Sequence, residues 1–427
     1  MPMRVLIYEP QFRGHNLCYV ARIARDLAAL PCEVRLATSR QAIASEEFNT
    51  HLADVRGGIE VLPLAGFQTD AGATRVITGG LAGWRSSYRG LVSAVDRLRP
   101  DHVYVPYGNH LGRIAAVPFG LAEALKDCQA EAETLLVGGS YCYPQHGFAK
   151  RLRQRAMLKL LARGPWRTVF HCDPLAVTEV HRLDPRVRDL VRLAPDPHGH
   201  VASRERAVAR ASFGLPATGR LVGIVALIEI RKGVDHLASA LRQAGDRLRP
   251  DDRLALIGPM HRDVWALLKQ EHADLLRAGR IVCADRFLTA EQMADAISSL
   301  DVMSVFYPHH RYTSSVLSAS AKLGRPVIGA RVGWIGRMIE QFDLGVTCDP
   351  LAPQEVADRL VDAFDTCDAY RLSERGRRFV EYISEENFGG TVTARLRERL
   401  GEAPSPALRS WEWAVGGDDP AAAFAAA

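Results

Sequence analysis

Short apolar runs alternate with amphipathic helical stretches along nearly the whole sequence, and this alternation constrains the fold more than any other feature. "VLIYEP" at 5–10 leads through a loop at Gly14 into a segment whose apolar residues Val20, Ile23, Ala24, Leu27 and Leu30 recur at helical spacing. "EVRLATS" (33–39), "IEVLPLAG" (59–66), "HVYVPYG" (102–108), "TLLVGGS" (134–140), "RTVFHCDP" (167–174) and "VRLAPDP" (191–197) are further strand candidates. Continuous apolar runs separated by helices are what parallel strands buried on both faces look like in sequence.

A Pro-rich stretch and the charged "ASRERAVARASFG" then interrupt the pattern. The rhythm restarts with "RLVGIVALIEI" (220–230), a helical segment at 234–246, "RLALIGP" (253–259), "RIVCAD" (280–285), "DVMSVFYP" (301–308) and "RPVIGA" (325–330). One helix opens with the capping box Thr289-x-x-Gln292. The expected fold class is α/β, with two Rossmann-like doubly wound domains facing a central cleft. The expected domains are 1–197 and 198–385, followed at 386–427 by a C-terminal helix and a loose tail. Helices near 352–366 and 370–400 are expected to be punctuated at Pro353 and at Gly389-Gly390. A chain of 427 residues is long enough for each half to bury a core of its own.

A hydrophobic share of 47% with 24% charged residues excludes a disordered chain. The net charge of +5 suits anionic ligands such as nucleotide diphosphates and is too small to imply nucleic acid. Eight scattered cysteines form no C-x-x-C pair and no zinc spacing, so reduced core thiols are expected and no metal. The apolar run in "MPMRVLIYEPQ" is too short for a signal-peptide core, and no run approaches the roughly 20 residues of a membrane span. A cytoplasmic location is expected.

Ligands of doubly wound sheets sit beyond the carboxyl ends of the strands. No G-x-G-x-x-G follows any strand, which removes the main support for hydride transfer. "GLPATGRL" (214–221) has P-loop glycine spacing, but Arg220-Leu221 stands where Lys-Ser/Thr is needed.

Three pieces of the second half do converge on an anion. In "EIRKGVDHL" (229–237), Arg231, Lys232 and Gly233 lie between a strand and a helix start, where a cation and backbone N–H groups can meet. "HHRYTSSVL" (309–317) offers the hydroxyls of Thr313, Ser314 and Ser315 behind His309, His310 and Arg311. "GRPVIGARVGWIG" (324–336) brackets a strand with glycines. Each has an ordinary structural account as well: a solvated basic loop, an N-cap cluster, turn glycines. Their order is more specific than any one of them.

With these motifs the chain resembles the retaining glycosyltransferases of GT-B architecture, in particular the large family 4 of sugar-nucleotide-dependent enzymes. The resemblance rests on Arg231-Lys232-Gly233-Val234-Asp235, "ALIGP" (255–259), "DVMSVFYP", "SSVLSASAKLGRPVIGARVGWIG" (314–336) and "LGVTCDPLAPQEVADRL" (344–360). It implies that the second domain holds a nucleotide-diphosphate sugar of UDP, GDP or ADP type as substrate, with no further cofactor. Lys232 and Arg231 would meet the diphosphate, and Thr313, Ser314 and Ser315 the phosphate oxygens. The usual arginine five residues before the lysine falls on Leu227, with Arg231 or Arg311 available to supply the charge.

The family's paired glutamates are absent. They fall on Arg311 and Ala319, or one residue earlier on His310 and Ser318, and no carboxylate occurs between Asp301 and Glu340. Ser318 is the candidate to read a ribose in their place. A catalytically silent GT-B binding or scaffold protein is therefore the alternative to a transferase. A GT-B sugar-nucleotide epimerase is a third reading, and the acid-free helix argues against it.

The resemblance also implies that the first domain binds the acceptor, a small molecule, a glycan or a lipid-linked group. His15 after the first strand, His110 in "PYGNHLG" and His146 in "GGSYCYPQHG" are the candidate catalytic residues there, and Tyr141 and Tyr143 candidate sugar platforms. Retention in this family is ascribed to same-face attack, with the leaving phosphate taking the acceptor proton, so the protein's work is to stabilise charge on the diphosphate. Finally, "HGFAKRLRQRAMLKLLARGPW" (146–166) sets Phe148, Leu152, Ala156 and Leu160 at helical spacing among six cations. Such a helix can rest on an anionic membrane or be a domain helix with a solvated basic face, and the second account is favoured.

Overall fold

The computed structural model describes residues 2–12, 16–64, 81–108, 120–137, 140–144, 147–199 and 202–416. Among these residues its contacts divide the chain into two units, 2–197 with Glu385–Leu408, and His198–Ser384 with 409–416.

The first unit is built on a seven-stranded parallel sheet in the order β3-β2-β1-β4-β5-β6-β7. The strands are β1 Met3–Tyr8, β2 Cys32–Thr38, β3 Ile59–Pro63, β4 His102–Val105, β5 Glu131–Leu136, β6 Trp166–His171 and β7 Val191–Leu193. Side chains alternate between the faces of a strand, and β1 shows the result. Leu6 and Tyr8 enter one buried cluster, Val5 and Ile7 the other. Both faces are therefore covered, which is why this strand reads as an unbroken apolar run. The strand order reverses between β1 and β4, the position where such sheets open a crevice at their carboxyl edge.

The second unit carries a six-stranded parallel sheet in the order β10-β9-β8-β11-β12-β13. Its strands are β8 Leu221–Val225, β9 Arg253–Ile257, β10 Ile281–Ala284, β11 Val302–Val305, β12 Val327–Ala330 and β13 Gly345–Cys348. Its switch point lies between β8 and β11. The helix Val234–Ala244 packs Leu237, Ala238 and Leu241 against Leu254 and Leu256 in one cluster. The capping box forms, with Gln292 N donating to Thr289 Oγ1 at 3.2 Å and Thr289 N to Gln292 Oε1 at 3.0 Å.

Two expectations need correction. Gly389 and Gly390 do not break a helix; they lie inside the continuous helix Glu385–Leu400. A Cβ at Gly389 would come within 3.0 Å of Asp26 Cβ, and one at Gly390 within 2.5 Å of Ser405 Cβ, so these glycines allow close packing. The same helix is not an appendage. Phe388, Val392 and Leu396 are buried in the cluster that holds Val5 and Ile7, so it completes the first unit. All eight cysteines are free thiols. Among the described residues no helix is long and apolar enough to cross a membrane.

Candidate functional site

The loops leaving the carboxyl ends of β8, β9 and β11 make the most developed site in the second unit. β8 stops at Val225 because Ala226 turns into the left-handed region at φ +74°. Gly258, at φ +134°, fits beneath it: a Cβ there would lie 2.2 Å from the Ala226 carbonyl oxygen. Ile228 N donates to Pro259 O at 2.8 Å and His261 N to Ile228 O at 3.0 Å, so the two loops run on as a short bridge. One turn of 3-10 helix, Ile230–Lys232, then closes on Gly233. Gly233 sits at φ +73°, and a Cβ on it would meet the Phe306 carbonyl oxygen and ring at 2.5 Å. The Lys-Gly step is thus set by contact with the end of β11.

That contact points Lys232 inward. Its side chain is 5% exposed, its Nζ donates to Val225 O at 2.8 Å, and it stands 5.9 Å from the centre of the Tyr307 ring. An ammonium has three donors, and a single carbonyl takes only one of them. Burial, reinforced by the charge of Arg231 and opposed by Glu229, lowers the Lys232 pKa from 10.5 to about 8. No carboxylate forms an ion pair with Lys232 among the described residues.

Tyr307 links this lysine to the next element. Burial raises the Tyr307 pKa to about 12, outweighing the neighbouring Ser314 side chain, which favours the ionised form. Ser314 is the N-cap residue of the helix Ser315–Lys322, yet no side chain caps that helix. The N–H groups of its first turn therefore present partial positive charge without a side-chain acceptor. Ser318, 1% exposed on the same helix, has a hydroxyl with no hydrogen-bond partner. A buried orphan hydroxyl costs about 1 to 3 kcal/mol, so this one waits for a ligand or a water.

Other residues singled out in the sequence take different places. Arg231 is held by Glu229 at 2.7 Å, and its charge reaches Lys232, Tyr307 and His310. Arg311 is exposed and makes no ion pair among the described residues. With Pro308, His309, Arg331, Val332 and Asp349 it lines a cavity of about 390 Å³ at the ends of β11, β12 and β13. Its carbonyl accepts from Trp334 N at 3.1 Å across Gly333, where a Cβ would lie 2.5 Å from Arg311 Cα. Thr313 and Ser315 are half-buried, and the Thr313 carbonyl lies 3.2 Å from His310 Nε2.

Two residues packed at this candidate site escaped the sequence reading. Tyr307 is one, and its signal was an aromatic residue at the carboxyl end of a strand. His236 is the other, one helical turn beyond Lys232. Its ring lies 5.5 Å from that of Phe306, its Nδ1 is buried without a partner, and burial and His309 lower its pKa. The rim is also apolar. Of the ten large hydrophobic side chains exposed among the described residues, Leu227, Ile230, Phe287, Tyr312 and Leu351 stand on these strand-end loops.

In the first unit, His15, His110 and His146 lie outside the described residues. The carboxyl edge of its sheet instead shows Glu9, fully buried after β1, with burial raising its carboxyl pKa well above the usual range and Gln11 N donating to Oε1 at 2.9 Å. His171 ends β6 with no exposure, and burial lowers its pKa to about 3. Its Nδ1 accepts from Asp173 N at 3.0 Å, so the neutral ring carries its proton on Nε2, which has no partner. Tyr141 and Tyr143 are not sugar platforms: they are 8% and 7% exposed, because the Gln154 amide bonds both their carbonyls and draws the turn into the core.

This architecture has parallels among solved structures. The crystal structure of Anabaena Alr3699/HepE in complex with UDP and glucose has a TM-score of 0.65 at 16% identity over 93% of this chain and 100% of that one. The chain has the GT-B fold. Sucrose-phosphate synthase from Thermosynechococcus elongatus shares it with a TM-score of 0.63 at 15% identity, over 93% and 99% of the two chains. A glycosyltransferase from Rickettsia africae shares it with a TM-score of 0.67 at 13% identity, over 94% and 100%. Among curated proteins, the D-inositol 3-phosphate glycosyltransferase of Segniliparus rotundus is 26% identical over 232 residues, 52% of this chain. That match spans about half of the relative's length, 48%. No family model matches this GT-B chain.

Proposed function

We propose that the protein is a glycosyltransferase that binds a nucleotide-diphosphate sugar through Lys232 and the start of the helix Ser315–Lys322 and transfers the sugar with retention of configuration. The observation that carries this reading is Lys232 itself. A buried ammonium bonded, among the described residues, only to a carbonyl stands by Tyr307 before the helix Ser315–Lys322, whose start is uncapped and whose Ser318 hydroxyl is unsatisfied, and a diphosphate ester with its ribose supplies the anions and hydroxyls that this set lacks. The glycosyltransferase named for the curated relative and the UDP and UDP-glucose complexes of Anabaena HepE support the same reading.

Within it, Lys232 and the helix N–H groups stabilise negative charge on the departing diphosphate, which is the dominant demand of such a transfer. Ser318 takes a donor hydroxyl, and the neighbouring cations Arg231 and Arg311 add to the positive field. Calorimetric titration with UDP, GDP, ADP and their sugars, on the native chain and on Lys232→Ala, tests the assignment. Nucleotide binding lost in the variant is expected; binding unchanged in Lys232→Ala would remove the site. Retention is read from the anomeric configuration of the product by NMR.

A binding protein without transferase activity is the second reading. It is favoured by one observation, the absence of any carboxylate from 302 to 339. Nucleotide binding with neither donor hydrolysis nor transfer would support it.

A further inference from the structure

The helix Phe148–Leu161 in the first unit presents its apolar stripe to solvent. Phe148 is 81% exposed, Leu152 59% and Leu160 37%, and Ala156 between them is exposed as well. Residues four apart on a helix step by about 40°, so the four occupy an arc of about 120°. The buried side is the opposite one, made by Gln154, Leu158 and Leu161. It is firmly attached, since Gln154 Nε2 donates to Tyr141 O at 3.0 Å and to Tyr143 O at 2.8 Å. The outward stripe is therefore not a core face that failed to find its partner. The sequence alone favoured a domain helix with a solvated basic face; the structure has a domain helix whose basic residues are solvated, and it turns the apolar stripe to solvent with them.

Charge surrounds the stripe. Lys150, Arg151, Arg153, Arg155, Lys159 and Arg163 are all exposed, and none forms an ion pair among the described residues. No Asp or Glu occurs anywhere from 146 to 166. Asp184 feels the field of Lys159, but it is already engaged by Arg186 at 2.6 Å. A phenyl ring and an isobutyl group held in water, ringed by cations of one sign, fit a surface that is apolar below and anionic above.

We propose that this helix docks the protein on an anionic phospholipid surface, with Phe148 and Leu152 entering the headgroup–acyl boundary and the surrounding Arg and Lys residues on the lipid phosphates. The inference does not depend on the nucleotide-site reading. It adds to that reading a place for the acceptor, carried on a lipid or delivered at a membrane. An acidic protein would match the charges but give the apolar pair no matching layer.

The test is flotation of the full chain with vesicles of phosphatidylcholine alone and with about 30% phosphatidylglycerol, at low and high salt. Selective, salt-sensitive binding to the anionic vesicles is expected, because each basic residue near such a surface contributes roughly five-fold. Phe148→Ser/Leu152→Ser should lower the partition coefficient about ten-fold or more, and Arg151→Gln/Arg153→Gln/Arg155→Gln about 100-fold. Phe148→Trp should show blue-shifted emission on anionic vesicles. Circular dichroism melts should stay close to those of the native chain, since these side chains are mostly exposed. Equal binding to neutral vesicles, or undiminished binding of the Phe148/Leu152 variant, overturns the proposal. So does a doubled mass in light scattering that the same variant abolishes, which would make the stripe a self-association face. Nucleotide titrations on the same preparations report on the other site separately.

Discussion

Gly233 and Phe306 approach so closely that the space between them cannot hold a methyl group: a Cβ on the glycine would sit 2.5 Å from the Phe306 carbonyl oxygen. Because Gly233 also has φ +73°, Gly233→Ala meets two penalties, backbone strain and overpacking, together about 3 kcal/mol. Urea denaturation should show that loss. Nucleotide affinity should fall with it, as the adjacent Lys232 is pushed from its seat.

The proton on Lys232 gives donor binding a defined pH dependence. Its folded pKa of about 8 lies below the ordinary 10.5, so between those values the unfolded chain binds more proton and stability rises with pH. Affinity moves the other way. A bound diphosphate favours the ammonium, so above pH 8 binding must take up a proton and weakens by up to about ten-fold per unit. Calorimetry at pH 8.5 in buffers of different ionisation enthalpy should reveal the uptake. Lys232→Met should abolish it.

Ser318 separates stability from binding. Removing an unsatisfied buried hydroxyl costs the free protein nothing, so Ser318→Ala should leave it unchanged or up to about 1 kcal/mol more stable. Nucleotide binding should still weaken about five- to ten-fold, the value of one lost hydrogen bond. If the variant were less stable and bound nucleotide normally, the hydroxyl would have a structural partner and the ribose assignment would fail.

His171 makes the first unit sensitive to acid. Its folded pKa of about 3 is below the ordinary 6.5, so the unfolded chain takes up a proton first as pH falls through that interval. The His171 contribution to stability should be level above pH 6.5 and decline by about 1.4 kcal/mol per unit below it. His171→Gln should flatten that part of the profile in denaturation midpoints measured from pH 4 to 7.

The sheets were legible because strands buried on both faces must be apolar throughout, as β1 and β8 are. Their ends were not, because an apolar run does not stop where a strand stops. "RLVGIVALIEI" reads as one element, yet the strand ends at Val225 because Ala226 adopts φ +74°. Lys232 and Gly233 could be picked out as candidates, since a cation and a glycine stand together at a strand-to-helix step, although a solvated basic loop would read the same. Tyr307 and His236 could not, because their roles come from packing on Ser314 and Phe306, which only the fold brings near. Periodicity also reports that a stripe exists without saying which way it turns. The exposure of Phe148 was not legible for that reason, and Gly389 was misjudged because close approach and helix breaking both select glycine.

The helix Glu385–Leu400 also bears on how the protein is made. Phe388, Val392 and Leu396 complete a core begun by β1, although more than 380 positions separate Val5 from Phe388. During synthesis the ribosome must finish all of His198–Ser384 before it delivers them. The amino-terminal unit is thus the first to be started, but it stays incomplete until the helix beyond Ser384 has been made. A nascent or truncated chain ending near residue 384 leaves the seat of Phe388 open to water, where a chaperone or a protease would find it.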